Sequence, residues 1–149
     1  MGTVEDMDEW SDPETVAWFL DEAQVWAIVG LSGDRWRTAY SIAAELQQRG
    51  KTIVPIHPKA SSEELVVLGE QGYATLADVP FHIDVVDVFR RSEAAGEFAD
   101  QAIAIGAAGV WFQMGVVDEA ALGRVRAAGL RMVMDDCPSR QWHARERRS

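Results

Sequence analysis

The feature that most constrains this chain is the recurrence of short apolar runs closed by glycine, proline or polar turns. They are Val25-Trp-Ala-Ile-Val29, Thr52-Ile-Val-Pro-Ile56, Ile83-Asp-Val-Val-Asp-Val-Phe89, Gly109-Val-Trp-Phe112 and Leu130-Arg-Met-Val-Met134. Each is too short for a stable helix. Each is also too continuously apolar to be a strand with one wet face. They read as strands buried on both sides. The segments between them carry helical spacing. Ala39–Arg49 places Tyr40, Ala43, Ala44 and Leu46 on one side and stops at Gly50. Ser92 and Glu93 open a helix through about Ile105, and Gly106 follows. Asp118 caps a third helix that runs to about Ala128 and ends at Gly129. Ahead of the first strand, Ser11 or Asp12 followed by Pro13 opens a helix to about Gln24, with Ala17, Phe19, Leu20 and Ala23 as its apolar side. Residues 59–72 are ambiguous, a loop with a short strand or turn near Gln71–Tyr73. Leu76–Val79 reads as one short turn capped by Thr75.

Strands that alternate with helices of about three turns specify an α/β architecture. The expectation is a Rossmann-like, doubly wound parallel sheet of about five strands with helices on both faces. A chain of 149 residues suffices for one core. The organisation expected is a flexible lead at 1–11, one domain at 12–142 and a frayed tail at 143–149. In such sheets ligands lie outside the carboxyl ends of the strands. Attention therefore falls on the loops at 30–38, 57–60, 89–92, 112–118 and 135–140.

The formal net charge is −10. That argues against non-specific binding to nucleic acid or to an anionic membrane. No stretch has the length and apolarity of a membrane span. Glu5, Asp6, Asp8 and Glu9 give the N-terminus the wrong charge for a secretory signal. The single cysteine, Cys137, builds no internal disulfide, so a cytoplasmic protein is expected.

Within this acidic chain the strand-end loops carry positive and flexible residues. Gly30-Leu-Ser32-Gly33-Asp-Arg35-Trp-Arg37 offers a tight turn, a hydroxyl and a helix N-terminus, which suit phosphate. It departs from a G-x-G-x-x-G fingerprint, because Ser32 and Arg35 stand where the second and third glycines belong. The second strand ends in His57-Pro58-Lys59. An NAD site places a carboxylate there for the ribose hydroxyl, so NAD is disfavoured while NADP stays open. Phe89-Arg90-Arg91 puts two guanidinium groups at a strand end, suited to phosphate oxygens or to a base. In Trp111-Phe-Gln113-Met-Gly115, Gln113 can hydrogen-bond an amide or phosphate and Gly115 admits a close ligand. Cys137 has no assigned base among His57, His82 and His143. Asp135-Asp136 fits no standard metal spacing, and no metal site is expected.

Taken in order, several segments resemble the stand-alone CoA-binding domain family, which is related to the CoA-binding domain of the succinyl-CoA synthetase alpha subunit. They are Val29-Gly-Leu-Ser32, Pro55-Ile-His-Pro58, Leu68-Gly-Glu70 with Tyr73, Leu76-Ala-Asp-Val-Pro80, Asp84 to Glu93, Ala104-Ile-Gly-Ala107, Trp111 to Gly115 and Met134-Asp-Asp-Cys137. The resemblance covers about residues 14–140. It implies a Rossmann-like fold that binds coenzyme A, with no established reaction in stand-alone members. It also implies site roles. Gly30, Ser32 and Arg37 would form the phosphate loop. His57, Pro58 and Lys59 would flank the nucleotide, Phe89 and Arg90 would wall the pocket, and Gln113 and Gly115 would meet the pantetheine. Two positions differ from the family pattern. His57-Pro58 replaces the usual Asn-Pro, and Arg37-Thr38-Ala39 replaces an R-x-S segment.

The leading expectation is a module that binds CoA or an acyl-CoA without catalysis. An NADP-type oxidoreductase and a regulatory, partner-binding domain with a degenerate pocket are the alternatives. A homo-oligomer or protein partner stays open.

Overall fold

The computed structural model describes residues 10–148. Most of the expected lead at 1–11 lies outside the described residues. In chain order the elements are α1 (Pro13–Asp21), β1 (Val25–Val29), α2 (Thr38–Gln48), β2 (Thr52–Ile56), β3 (Val66–Val67), β4 (Glu70–Gln71), β5 (Val85–Val88), α3 (Ser92–Ala104), β6 (Gly109–Phe112), α4 (Glu119–Ala127), β7 (Arg131–Val133) and α5 (Pro138–Arg148). Two single 3-10 turns, Pro58–Ser61 and Leu76–Asp78, lie between β2 and β5.

The five long strands form one sheet in the order β2-β1-β5-β6-β7. All four pairings are parallel. The chain leaves β1 toward β2 on one side and returns to the other side of β1 as β5. The loops after β1 and β5 therefore diverge, and a crevice opens between their carboxyl ends.

Side chains alternate across the sheet and build two cores. Ala27, Val29, Val86, Val88, Val110 and Phe112 face α3 and α4, which contribute Ala95, Ala99, Ala102, Ala121, Leu122 and Val125. Trp26, Ile28, Val85, Trp111 and Val133 face α1, α2 and α5. The second core is rich in aromatics. Phe19 meets Trp111 edge-on at 5.2 Å between centroids. Gly109 makes room for it, since a Cβ there would lie 2.7 Å from the Phe19 ring. Helices on both faces of a parallel sheet make the doubly wound Rossmann-like fold.

Local chemistry explains most boundaries. Asp12 caps α1 by accepting from the Thr15 N–H at 3.0 Å, with Pro13 in the first turn. Asp118 caps α4 by accepting from the Ala121 N–H at 3.0 Å. The ambiguous stretch 59–72 contains the small antiparallel pair β3–β4. Its turn places both Leu68 (φ 54°) and Gly69 (φ 81°) in the left-handed region, as a two-residue I′ hairpin requires. Tyr73 bridges to Ile56 and attaches this excursion to the β2 edge.

The C-terminal region differs from the sequence expectation of a loop at 135–140 followed by a frayed tail from 143. Pro138–Arg148 form α5. Trp142 is buried in the aromatic core. The Arg49 guanidinium lies 4.6 Å above the Trp142 ring and pairs with Glu146 at 2.8 Å. Arg145 pairs with Asp21 at 2.6 Å. The helix start is organised by Asp136, which is fully buried. Its carboxylate accepts from the Ser11 hydroxyl at 2.7 Å, the Cys137 N–H at 2.7 Å and the Gln141 amide at 2.6 Å.

Candidate functional site

The diverging loops enclose a cleft of about 380 Å³. Its walls come from the carboxyl ends of β1, β5, β6 and β7. Gly30 follows β1, Phe89 follows β5, Gln113, Met114 and Val116 follow β6, and Cys137 follows β7. The first turn of α2 closes it, through Arg37, Thr38 and Ala39.

Gly30 sits where the two loops part. Its φ is +103°, and a Cβ would stand 2.9 Å from the Phe89 carbonyl oxygen. Only glycine tolerates both the left-handed backbone and that approach. The loop then turns through Gly33 (φ 93°). Asp34 accepts from the Trp36 N–H at 3.0 Å and fixes the approach to α2. Arg37 occupies the N-cap position of α2, and no side chain caps the helix. The Tyr40 N–H meets the Arg37 carbonyl at 3.1 Å, and the Thr38 and Ala39 N–H groups with the positive end of the helix dipole are left for water or an anion at the cleft.

A positive rim surrounds this turn. Burial lowers the His57 pKa first, and the charges of Lys59, Arg90 and Arg37 lower it further. Three cations from three different loops therefore act on one imidazole. His57 Nδ1 accepts from the Lys59 N–H at 3.1 Å. The proton of the neutral ring consequently sits on Nε2, which is left as a donor. Arg37 reaches Asp34 and Lys59 reaches Glu63, each at 3.8 Å and partly exposed. Such long surface pairs are weak and give way readily to a stronger anion.

The inner part of the cleft is neutral. Gln113 is buried, and its Nε2 donates to Asp87 Oδ1 at 2.6 Å. Asp87 is fully buried on β5, and its Oδ2 has no partner among the described residues. Burial pushes its carboxyl up to about 8, against a lowering by the Gln113 hydrogen bond. Cys137 is half-buried. Burial pushes its thiol up, backbone hydrogen bonds from Arg140 and Ser139 oppose this, and the charges of Asp87 and Asp136 add to the rise.

Of the residues singled out in the sequence, Gly30, Arg37, Phe89 and Gln113 line the cleft. His57, Lys59 and Arg90 lie outside the lining; the charges of Lys59, Arg90 and the cleft residue Arg37 all reach His57, and Arg90 lies 5.8 Å from the Phe98 ring. Pro58 starts the exposed 3-10 turn behind His57. Ser32 lies in the first loop beyond the cleft lining. Gly115 is exposed, and its N–H donates to Asp135 Oδ1 at 2.8 Å. Arg91 turns away to Glu93 at 3.4 Å. Thr38, Met114 and Val116 also line the cleft and carried no chemical signal of their own. Asp87 did carry one, as a carboxylate inside an otherwise apolar strand. No group of three or more potential metal ligands occurs among the described residues. No helix among them is long and apolar enough to cross a membrane.

Comparison with known proteins bears on the same region. The family described as a CoA binding domain matches residues 24–142. The uncharacterized protein YneT of Bacillus subtilis (strain 168) is 32% identical over 111 residues, which span 74% of this chain and 79% of that protein. A hypothetical protein from Pyrococcus horikoshii OT3 has the same fold, with a TM-score of 0.80 and 33% identity over 88% of this chain and 89% of that one. A dinucleotide-forming acetyl-coenzyme A synthetase of Ca. Korarchaeum cryptofilum shares the fold at 20% identity and a TM-score of 0.66, over 80% of this chain and 28% of that chain. The matched segment contains β1 to β7, the uncapped turn of α2 and the whole cleft lining, and the chain belongs to the CoA-binding domain family.

Proposed function

We propose that this chain binds coenzyme A, free or acylated, with the phosphates at the α2 N-terminus and the positive rim and the pantetheine arm in the neutral cleft. The observation that carries the reading is the juxtaposition of an uncapped helix N-terminus with Arg37, His57, Lys59 and Arg90, in a chain of net charge −10. CoA has the complementary division, with phosphates at one end and a long uncharged arm at the other. Gln113 supplies the arm with a polar contact, and Phe89, Met114 and Val116 supply apolar wall. Ser32, Pro58 and Gly115 act in this reading through the shape of their loops.

The same geometry favours binding without catalysis. A thiol pushed up by burial stays protonated and is a weak nucleophile. Asp87 is enclosed, and among the described residues no histidine hydrogen-bonds Cys137.

Thermal unfolding with added ligand tests the proposal. A ligand that binds only the folded state stabilises it by about 2.7 kcal/mol at a hundred times its Kd. CoA is expected to raise the melting temperature in a saturable way, and NADP is not. A shift with NADP and none with millimolar CoA would overturn the proposal in favour of a nicotinamide enzyme.

A further inference from the structure

The floor of the cleft holds a polar pair that phosphate binding leaves unexplained. Three of the four residues of β5 are valine, and all four are buried. The exception is Asp87, fully enclosed, with one oxygen bonded to Gln113 and the other without a partner. A valine there would serve the core better, because an enclosed carboxyl with an unmet lone pair destabilises the fold. The cost is offset only if the carboxyl fixes something that matters at the cleft.

The neighbours show what it fixes. Asp87 lies on the same side of the sheet as Val85, which faces α1, α2 and α5. Gln113 reaches it from the end of β6, and Cys137, just before α5, is near enough for the Asp87 charge to raise its thiol pKa. Among the described residues Gln113 is the one group bonded to it. A carboxyl oxygen that accepts a hydrogen bond takes the NH2 end of the amide, at 2.6 Å. Besides its second N–H, the anchored amide keeps Oε1, an acceptor, at the end away from Asp87. Without Asp87 the amide is free to flip and present a donor instead.

We propose that Asp87 is a positioning residue that holds Gln113 Oε1 toward the cleft, so that the site selects ligands whose neutral arm carries N–H donors, as the two amides of the CoA arm do. The inference rests on the CoA reading and adds a specificity determinant to it. A buried acceptor left without a donor weakens binding by about tenfold, which is the scale of discrimination this device supplies. Holding the carboxyl protonated near neutrality is compatible with the role, since the Oδ1 atom accepts in either state.

Calorimetric titration with CoA and with adenosine 3′,5′-bisphosphate, which lacks the arm, tests the pair. Asp87→Leu is expected to weaken CoA by about tenfold and to leave the bisphosphate within about twofold. Asp87→Asn, whose amide oxygen still accepts from Gln113, is expected to keep CoA within about threefold of the parent. Gln113→Leu, with Asp87 in place, is expected to show the same selective loss, and Asp87→Leu is expected to add nothing to it. Equal weakening of both ligands, failure of Asp87→Asn to rescue, or full additivity with Gln113→Leu would overturn the proposal. If Asp87→Leu does not fold, the Asn variant and Gln113→Leu still decide it. A parent protein that binds neither ligand overturns the CoA reading itself. One that binds both, with CoA affinity indifferent to Asp87 and Gln113, overturns only this role.

Discussion

Two residues give the site its own pH signature, with opposite chemistry. His57 is held below its ordinary range by burial and by Lys59, Arg90 and Arg37. Its neutral form is favoured in the fold, so the unfolded chain binds more protons near the usual histidine pKa. Stability from this group is therefore lost as pH falls through 6.5. NMR titration is expected to place the free-protein His57 pKa below 6.5, and CoA phosphates beside it are expected to raise it. No change on CoA addition would place the phosphates elsewhere. Asp87 works the other way. Its carboxyl moves from 3.8 to about 8, so the folded state holds a proton that the unfolded chain has released. Stability falls as pH rises across that interval. Asp87→Asn removes the dependence. Urea midpoints are expected to show the variant gaining on the parent steadily from the acid end of the interval to its alkaline end. Parallel curves would contradict the burial argument.

At the scale of elements, α2 separates folding from binding. Thr38 is exposed in its first turn, where no side chain caps the helix. Thr38→Glu places a negative charge at the positive end of the helix dipole. It is expected to stabilise the protein by about 0.3–1 kcal/mol in urea unfolding. The same charge opposes phosphate and is expected to weaken CoA by about tenfold in titration. Opposite signs from one substitution are hard to obtain by damage to the fold. The turn between β1 and α2 is the counter-case. Gly30→Ala forces a Cβ toward the Phe89 carbonyl at a φ of +103°. It is expected to destabilise by about 1–3 kcal/mol, read as a lower urea midpoint, and to reduce CoA affinity as the crevice shifts.

The elements also show why some of the molecule is legible in the sequence and some is not. The strands β1, β2, β5, β6 and β7 announce themselves because a strand covered on both faces must be continuously apolar. The helices α1 and α4 are marked by Asp12 and Asp118, whose caps are local chemistry. The hairpin at Leu68-Gly69 is not legible, since leucine has no local preference for the left-handed region it occupies. Nor is α5, whose order comes from Trp142, Arg49, Asp21 and Asp136, partners distant in sequence or set by the fold. The site divides the same way. Gly30, Arg37, Phe89 and Gln113 were readable as strand-end residues of a suitable type. Thr38, Met114 and Val116 join them through topology alone. Asp87 was visible as a misfit in an apolar run, but its partner Gln113 became apparent only once β5 and β6 lay side by side.

At the scale of the whole molecule, the proposed site sets a local group of cations, Arg37, Lys59 and Arg90, against a net charge of −10. If CoA binds as proposed, the long-range field opposes it and the local rim attracts it. Salt screens distant charges more fully than close ones, yet the rim cations are themselves exposed. CoA affinity is therefore expected to fall with ionic strength, in spite of the net charge of −10. Affinity that rises with salt would mean that the net field, not the rim, governs binding.

Occupation of the crevice between the carboxyl ends of β1 and β5 by CoA can be read by amide chemical-shift mapping during a CoA titration. Saturable shifts are expected, concentrated at Gly30, Thr38, Ala39, Phe89 and Gln113. Shifts centred instead on the groove of Trp18 and Arg131 beside α1, or none at saturating CoA, would contradict it.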